Sequence, residues 1–106
     1  MKIITEIVSF DSKSEITEND FIEIIHRLET DFHSEQPGFI DTTLLHAEGT
    51  NNWGMIQRWD SLENLKKSSS NMFKNSKTEV FRNSIEPKSI SIKIYNNIKI
   101  WTKIIQ

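Results

Sequence analysis

The sequence predicts an α+β fold with elements in the order β-α-β-β-α-β, the ferredoxin-like arrangement. Three observations carry this. Residues 2–10 and 89–104 are rich in isoleucine and read as strands. Residues 17–32 space their apolar side chains three and four apart, as a helix does. Between them, Pro37 to Ser61 reads as turn, strand, turn, strand and helix start. Two right-handed crossovers would place both helices on one face of an antiparallel sheet. The other face, partly apolar, then needs a cover.

The first strand, Lys2 to Phe10, is dense in β-branched residues (Ile3, Ile4, Thr5, Ile7, Val8), which suits a central strand buried on both faces. Glu6 interrupts it, and is expected at a rim or in a polar pocket. Thr17 opens the first helix, with Glu18 and Asp20 near the positive end of its dipole. Phe21, Ile24, Ile25, Leu28 and Phe32 form one apolar stripe, and Pro37-Gly38 ends the segment. His33 falls just past the stripe, where it is expected as a surface or cap histidine.

Phe39 to Glu48 is the second strand. Simple alternation groups Phe39 with Asp41, Thr43 and Leu45, and Ile40 with Thr42, Leu44 and His46. Gly49-Thr50-Asn51-Asn52 suits a hairpin turn. In the third strand, Trp53, Met55, Gln57 and Trp59 share a face. Asp60 or Ser61 caps a short helix over Leu62 to Ser70, with Leu62 and Leu65 inward. Ser68 to Asn71 reads as a break, and Met72 to Ile85 as a second helical stretch ended by Glu86-Pro87. The last strand is expected to run unbroken from Ser89 to about Ile104, because a hairpin at Asn96-Asn97 would mix Ile and Lys on each face. Such a strand outruns the partners one small domain supplies, so its far half is expected to pair with another chain.

Bulk composition narrows the classes. At 106 residues the chain is expected to form one domain, 1–106, modest in core and disposed to oligomerise. A net charge of −2 without any Lys/Arg block argues against nucleic acid. No apolar run approaches the roughly 20 residues that cross a bilayer. Glu6 breaks the apolar N-terminal run and no small-residue cleavage site follows, so this stretch reads as a strand of the mature protein. Zero cysteines remove disulfides, thiol nucleophiles and thiolate metal sites, and the expected compartment is the cytoplasm.

The three histidines show no HxH or HxxxH spacing, so no metal site is expected. His46 is the candidate general base, since imidazole titrates near neutrality. Trp53, Gln57 and Trp59 are the candidate ligand-binding residues, a flat aromatic wall with one polar group. The plainer reading is that they fill the core.

Pro37-Gly38-Phe39 before strand two, Arg58 to Leu65 (RWDSLENL) leaving strand three and Met72-Phe73 in the following helix carry a family likeness in their order and spacing. The chain resembles the antibiotic biosynthesis monooxygenase (ABM) superfamily over nearly its whole length. That resemblance implies a homodimeric α/β barrel with C-terminal strands crossing over. It also implies a cleft between sheet and helices for aromatic or other small molecules. It points to a cofactor-independent monooxygenase of an aromatic or quinol-type compound, or to a non-catalytic small-molecule-binding or stress-related dimer. The haem-degrading branch relies on Asn, Trp and His at positions that correspond to Ile7, Ser68 and Lys77 or Thr78, which disfavours that chemistry.

Overall fold

A computed structural model describes residues 2–103 of the chain. Four strands, β1 (Ile4–Asp11), β2 (Phe39–His46), β3 (Asn52–Trp59) and β4 (Ser91–Asn96), form one antiparallel sheet in the order β2-β3-β1-β4. Helices α1 (Glu18–Asp31), α2 (Leu62–Met72) and α3 (Glu79–Ser84) cover one face. The expected ferredoxin-like fold is thus present, with its second helical region split into α2 and α3.

Each element follows from local chemistry. The Thr17 hydroxyl accepts the Asp20 N–H at 3.1 Å and caps α1. Phe21, Ile25, Leu28 and Phe32 are buried against Phe10, Trp53 and Met55 of the sheet. Gly38, at φ +82°, turns the chain into β2 and accepts the Asp60 N–H at 2.8 Å, pinning the entry of β2 to the exit of β3. At the far end, Glu86 N–H donates to the Asp11 carbonyl and Lys13 N–H to that of Ser84, both at 2.9 Å. These bonds hold the end of α3 against the end of β1.

Several expectations are corrected. A β-bulge between Phe39 and Asp41 shifts the register of β2. Phe39 therefore joins Thr42, Leu44 and His46 on the helix-covered face, opposite Trp59, Gln57, Met55 and Trp53. β1 is central but buried on one side only: Ile4, Glu6 and Phe10 are buried, whereas Ile7 is exposed on the open face. Helix α2 continues through Ser68, Ser69 and Ser70 to Met72. Serine is a middling helix former rather than a breaker, and packing decides the matter. Leu65 is buried while Leu62, in the first turn, is exposed.

The last strand is also shorter than expected. β4 spans six residues, and after Asn97 N–H meets the Ile3 carbonyl at 2.9 Å the chain to residue 103 joins no strand. Ile104, the expected end of the strand, lies outside the described residues. All six residues of β4 are exposed, because this edge strand has β1 on one side only and little helix above it.

Gly38 gives a direct test of the turn that joins β2 to β3. A Cβ there would sit 2.2 Å from Asp60 Oδ1 and 2.6 Å from Asn64 Nδ2, on a backbone already at positive φ. Gly38→Ala should cost roughly 1–3 kcal/mol in urea unfolding; a wild-type midpoint would contradict this account.

Candidate functional site

The sheet and the helix layer do not close completely. A cavity of about 150 Å³ lies between them, floored by β1 and β3 and walled by α2, α3 and the start of β4. Helix α2 presents the small Ser68 to it, which leaves volume that a larger side chain would fill. Phe73 and Ile92, both well exposed, stand at its mouth.

The inner end is polar. Glu6 from β1 and Gln57 from β3 are direct cross-strand partners on the helix-covered face. His33 reaches the same place because α1 stops at Asp31 and the tight turn His33–Glu35 swings its ring under the sheet. All three side chains are buried. The His33 ring stacks on Phe39 at 5.6 Å and 22° and meets Phe32 and Trp59 edge-on.

His33 Nδ1 pairs with Glu29 Oε2, four residues back on α1. With Nδ1–H donating to that carboxylate, Nε2 remains as the acceptor. The Gln57 amide nitrogen lies 3.3 Å from Nδ1 and 3.4 Å from Nε2, both long contacts, and donates at 3.1 Å to Thr42 Oγ1. The ring is thus oriented by a carboxylate while its second nitrogen is only loosely engaged.

Two further groups lack partners. Glu6 makes no side-chain hydrogen bond among the described residues although it lines the cavity. Burial pushes its carboxyl above the ordinary value of 4.5, while the His33 charge acts more weakly in the opposite direction. Trp59 also lines the cavity, and its buried Nε1–H is unpartnered among the described residues. Each is a polar atom that a bound molecule would satisfy.

The sequence-derived candidates divide. Gln57 and Trp59 line this cavity. Trp53 lies in the core beyond it, its ring tilted at 44° to Phe21 with centroids 4.9 Å apart, and donates from Nε1 to Ser12 Oγ at 3.1 Å. His46 is at the other end of the sheet face, outside the cavity lining. It stacks on Trp53 at 4.0 Å, bonds the Thr50 carbonyl through Nε2 at 2.8 Å, and has Glu18 3.6 Å from Nδ1. His33, expected as a surface or cap histidine, is instead buried at the polar end of the cavity. The Glu29/His33 spacing of four, bracketing the last apolar residue of the stripe, was the available signal. Glu6 resolves as the polar-pocket case. Asp41 is an ion-pair partner: its hydrogen bond from Arg58 holds the carboxyl below the usual range on the open sheet face. No cluster of three or more metal-ligating side chains occurs among the described residues. No helix among them is long and apolar enough to cross a membrane.

Fold and cavity define a class: a split-βαβ sheet, covered on one face, that encloses a small-molecule-sized space with a polar inner end. No protein-family model matches the sequence, and no curated protein does. Solved structures do match. A variant of SnoaB, a cofactor-independent oxygenase from Streptomyces nogalater, superposes with a TM-score of 0.76 at 15% identity, covering 97% of this chain and 100% of that one. Proteins assigned to the antibiotic biosynthesis monooxygenases from Nitrosomonas europaea (0.69, 15% identity, 91% and 90% covered) and Caulobacter crescentus (0.70, 10% identity, 92% of each covered) match as well. At these identities the likeness establishes a shared fold, that of the ABM proteins which the sequence resembles.

Glu6 makes the site measurable without a ligand. The native chain holds this proton more tightly than the unfolded chain, whose carboxyl titrates near 4.5. The group's contribution is intact below that pH and is lost as pH rises through the folded value. Glu6→Gln, which keeps shape but cannot ionise, should be more stable than wild type at pH 8. The gap should close by pH 4, in urea titrations at fixed protein concentration. A wild type more stable than the variant at pH 8 would contradict the buried, unpartnered carboxyl.

Proposed function

We propose that this chain is a cofactor-independent monooxygenase acting on an aromatic or quinol-type small molecule bound between sheet and helices. The single observation that carries the reading is the buried His33 at the polar end of the cavity, beside Glu6 and Gln57 and paired with the half-buried Glu29 behind it. The SnoaB-like fold supports it.

The chemistry asks little of the protein. A quinol loses a phenolic proton to His33 Nε2, and the resulting anion carries its charge onto the ring carbon next to the oxygen. That carbon reduces dioxygen and forms a C–O bond. The peroxide then loses water and leaves a hydroxyquinone. The sum is quinol plus dioxygen to hydroxyquinone plus water, with the substrate as the only reductant. Glu29 holds the imidazole tautomer and stabilises the imidazolium. Gln57 and the Trp59 N–H position oxygen atoms of the substrate, and the apolar walls exclude water. In this reading His33 takes the role of base, and His46 and Trp53 serve the packing of the hairpin against α1.

A competing reading is a binding protein without turnover. The unpartnered Trp59 N–H and the buried Glu6, whose carboxyl burial pushes toward its neutral form, favour it, since both are groups that a ligand would satisfy. Oxygen consumption with 2,5-dihydroxybenzoate or methylhydroquinone separates the two. Turnover in the wild type, lowered about 100-fold or more in His33→Ala and unchanged in His46→Ala, supports the oxygenase. Saturable binding with no oxygen uptake supports the binding protein.

Our reading also includes a homodimer. The open sheet face presents Ile7, Leu45 and Tyr95, and Ile98, Ile100 and Trp101 beyond β4 are exposed. A second copy is the natural cover for an apolar sheet face and an unpaired strand end. Light scattering on a sizing column should give twice 12.4 kDa at micromolar concentration. A stable monomer there would remove the dimer from the proposal.

A further inference from the structure

The inner end of the cavity and its α3 side differ in charge, and this narrows the ligand. At the inner end, burial disfavours the charged form of Glu6, and Glu29 pairs with His33 through Oε2 while its Oε1 is buried without a partner among the described residues. Arg82 of α3, half-buried, lines the cavity on the α3 side. Its Nε donates to Thr78 Oγ1 at 3.0 Å and an Nη to the Asn75 carbonyl at 3.3 Å. Both partners are neutral. Among the described residues no carboxylate lies within ion-pair distance of the guanidinium, unlike Arg27 and Arg58, which pair with Glu23 and Asp41. Arg82 is therefore an oriented cation without a counter-ion, set among the apolar side chains of Phe81, Ile85, Ile90 and Ile92.

Size adds a second limit. A space of about 150 Å³ is of the order that holds one benzene-sized ring. A fused tricyclic compound would have to displace α2 or α3.

Deepening the small-molecule reading above, on which this rests, we propose that the cavity selects a single-ring phenol or quinol bearing one carboxylate. The phenolic end lies inward at His33, Gln57 and the Trp59 N–H, and the carboxylate is on the α3 side at Arg82. The phenol fits the inner end because that end offers an acceptor in His33 Nε2 and donors in Gln57 and Trp59. The carboxylate fits the α3 side because Arg82 supplies the missing countercharge, and a planar guanidinium with free N–H groups matches a carboxylate. Arg82 is a specificity residue in this account and takes no part in proton transfer.

Calorimetry with three probes tests this in the intact chain. Wild type should bind 4-hydroxybenzoate at least tenfold more tightly than 4-hydroxybenzamide, which has the same size and no charge. 9-Anthracenecarboxylate, which keeps the charge and enlarges the ring, should not compete. Arg82→Gln should lose about tenfold in affinity for 4-hydroxybenzoate and keep that for the amide. Arg82→Lys should recover part of the preference. The acid/amide ratio in wild type needs no variant, so the test survives if Arg82→Gln folds poorly. Equal affinity for acid and amide, or displacement by the anthracene acid, overturns the proposal. The oxygenase reading fails separately. Selective binding of the acid with no oxygen uptake from 2,5-dihydroxybenzoate would remove catalysis and keep the selectivity. Oxygen uptake with neutral or polycyclic quinols and no acid preference would do the reverse.

Discussion

The structure depends on the one-sided burial of β3. Trp53, Met55, Gln57 and Trp59 all point to the helix layer, and the strand's other face carries Gly54, Ile56 and Arg58. Because β3 is central, its register fixes which residues of β1 and β2 share the buried face. Glu6 is placed opposite Gln57, and Thr42 on Gln57's other side. A slip of one residue would turn Glu6 and Gln57 outward and bring Ile7 and Ile56 in. The polar end of the cavity is therefore a consequence of strand register before it is a consequence of any side-chain contact.

On that register the helices impose the chemistry. α1 is long enough to deliver Glu29 and then stops, so that His33 folds back toward the sheet. The pair arrives from a helix end, while Glu6 and Gln57 arrive from strands. α2 packs through Leu65 and Ser68, one large and one small. The first fixes the helix on Trp59, and the second leaves room. The cavity is thus the gap between the sheet and a helix whose buried face is too small to fill it. Burying Glu6 without a partner costs stability, and such a cost is commonly met where a site awaits a ligand.

The division of the histidines follows from the same geometry. His46 was the candidate base because imidazole titrates near neutrality, and in the fold it lies on the same sheet face as Trp53, Gln57 and Trp59. That face is long, and the structure divides it in two. At one end His46 and Trp53 stack and tie the hairpin to α1. At the other, His33, Phe39 and Trp59 surround the cavity's inner end. Alternation identifies the face of a strand, and it cannot tell which part of that face a helix will leave uncovered.

The element order was legible in the sequence because each signal is local: the Thr17 cap, the Phe21-to-Phe32 stripe, the turn glycines and the alternation of β3. Gln57 and Trp59 on one face followed from the same alternation. Three things were decided only by tertiary structure. The bulge at Ile40 re-aims Phe39, because pairing with β3 requires the extra residue. The serines of α2 stay helical, because Leu65 and Ser68 pack on the sheet and outweigh weak propensity. The site itself assembles Glu6, Glu29, His33, Gln57 and Arg82, which are spread over 77 positions of chain (82 − 6 + 1). Pattern along a chain records what neighbours require of one another. Which distant groups meet in a dry space depends on register and on the volume left unfilled, and both are properties of the folded molecule.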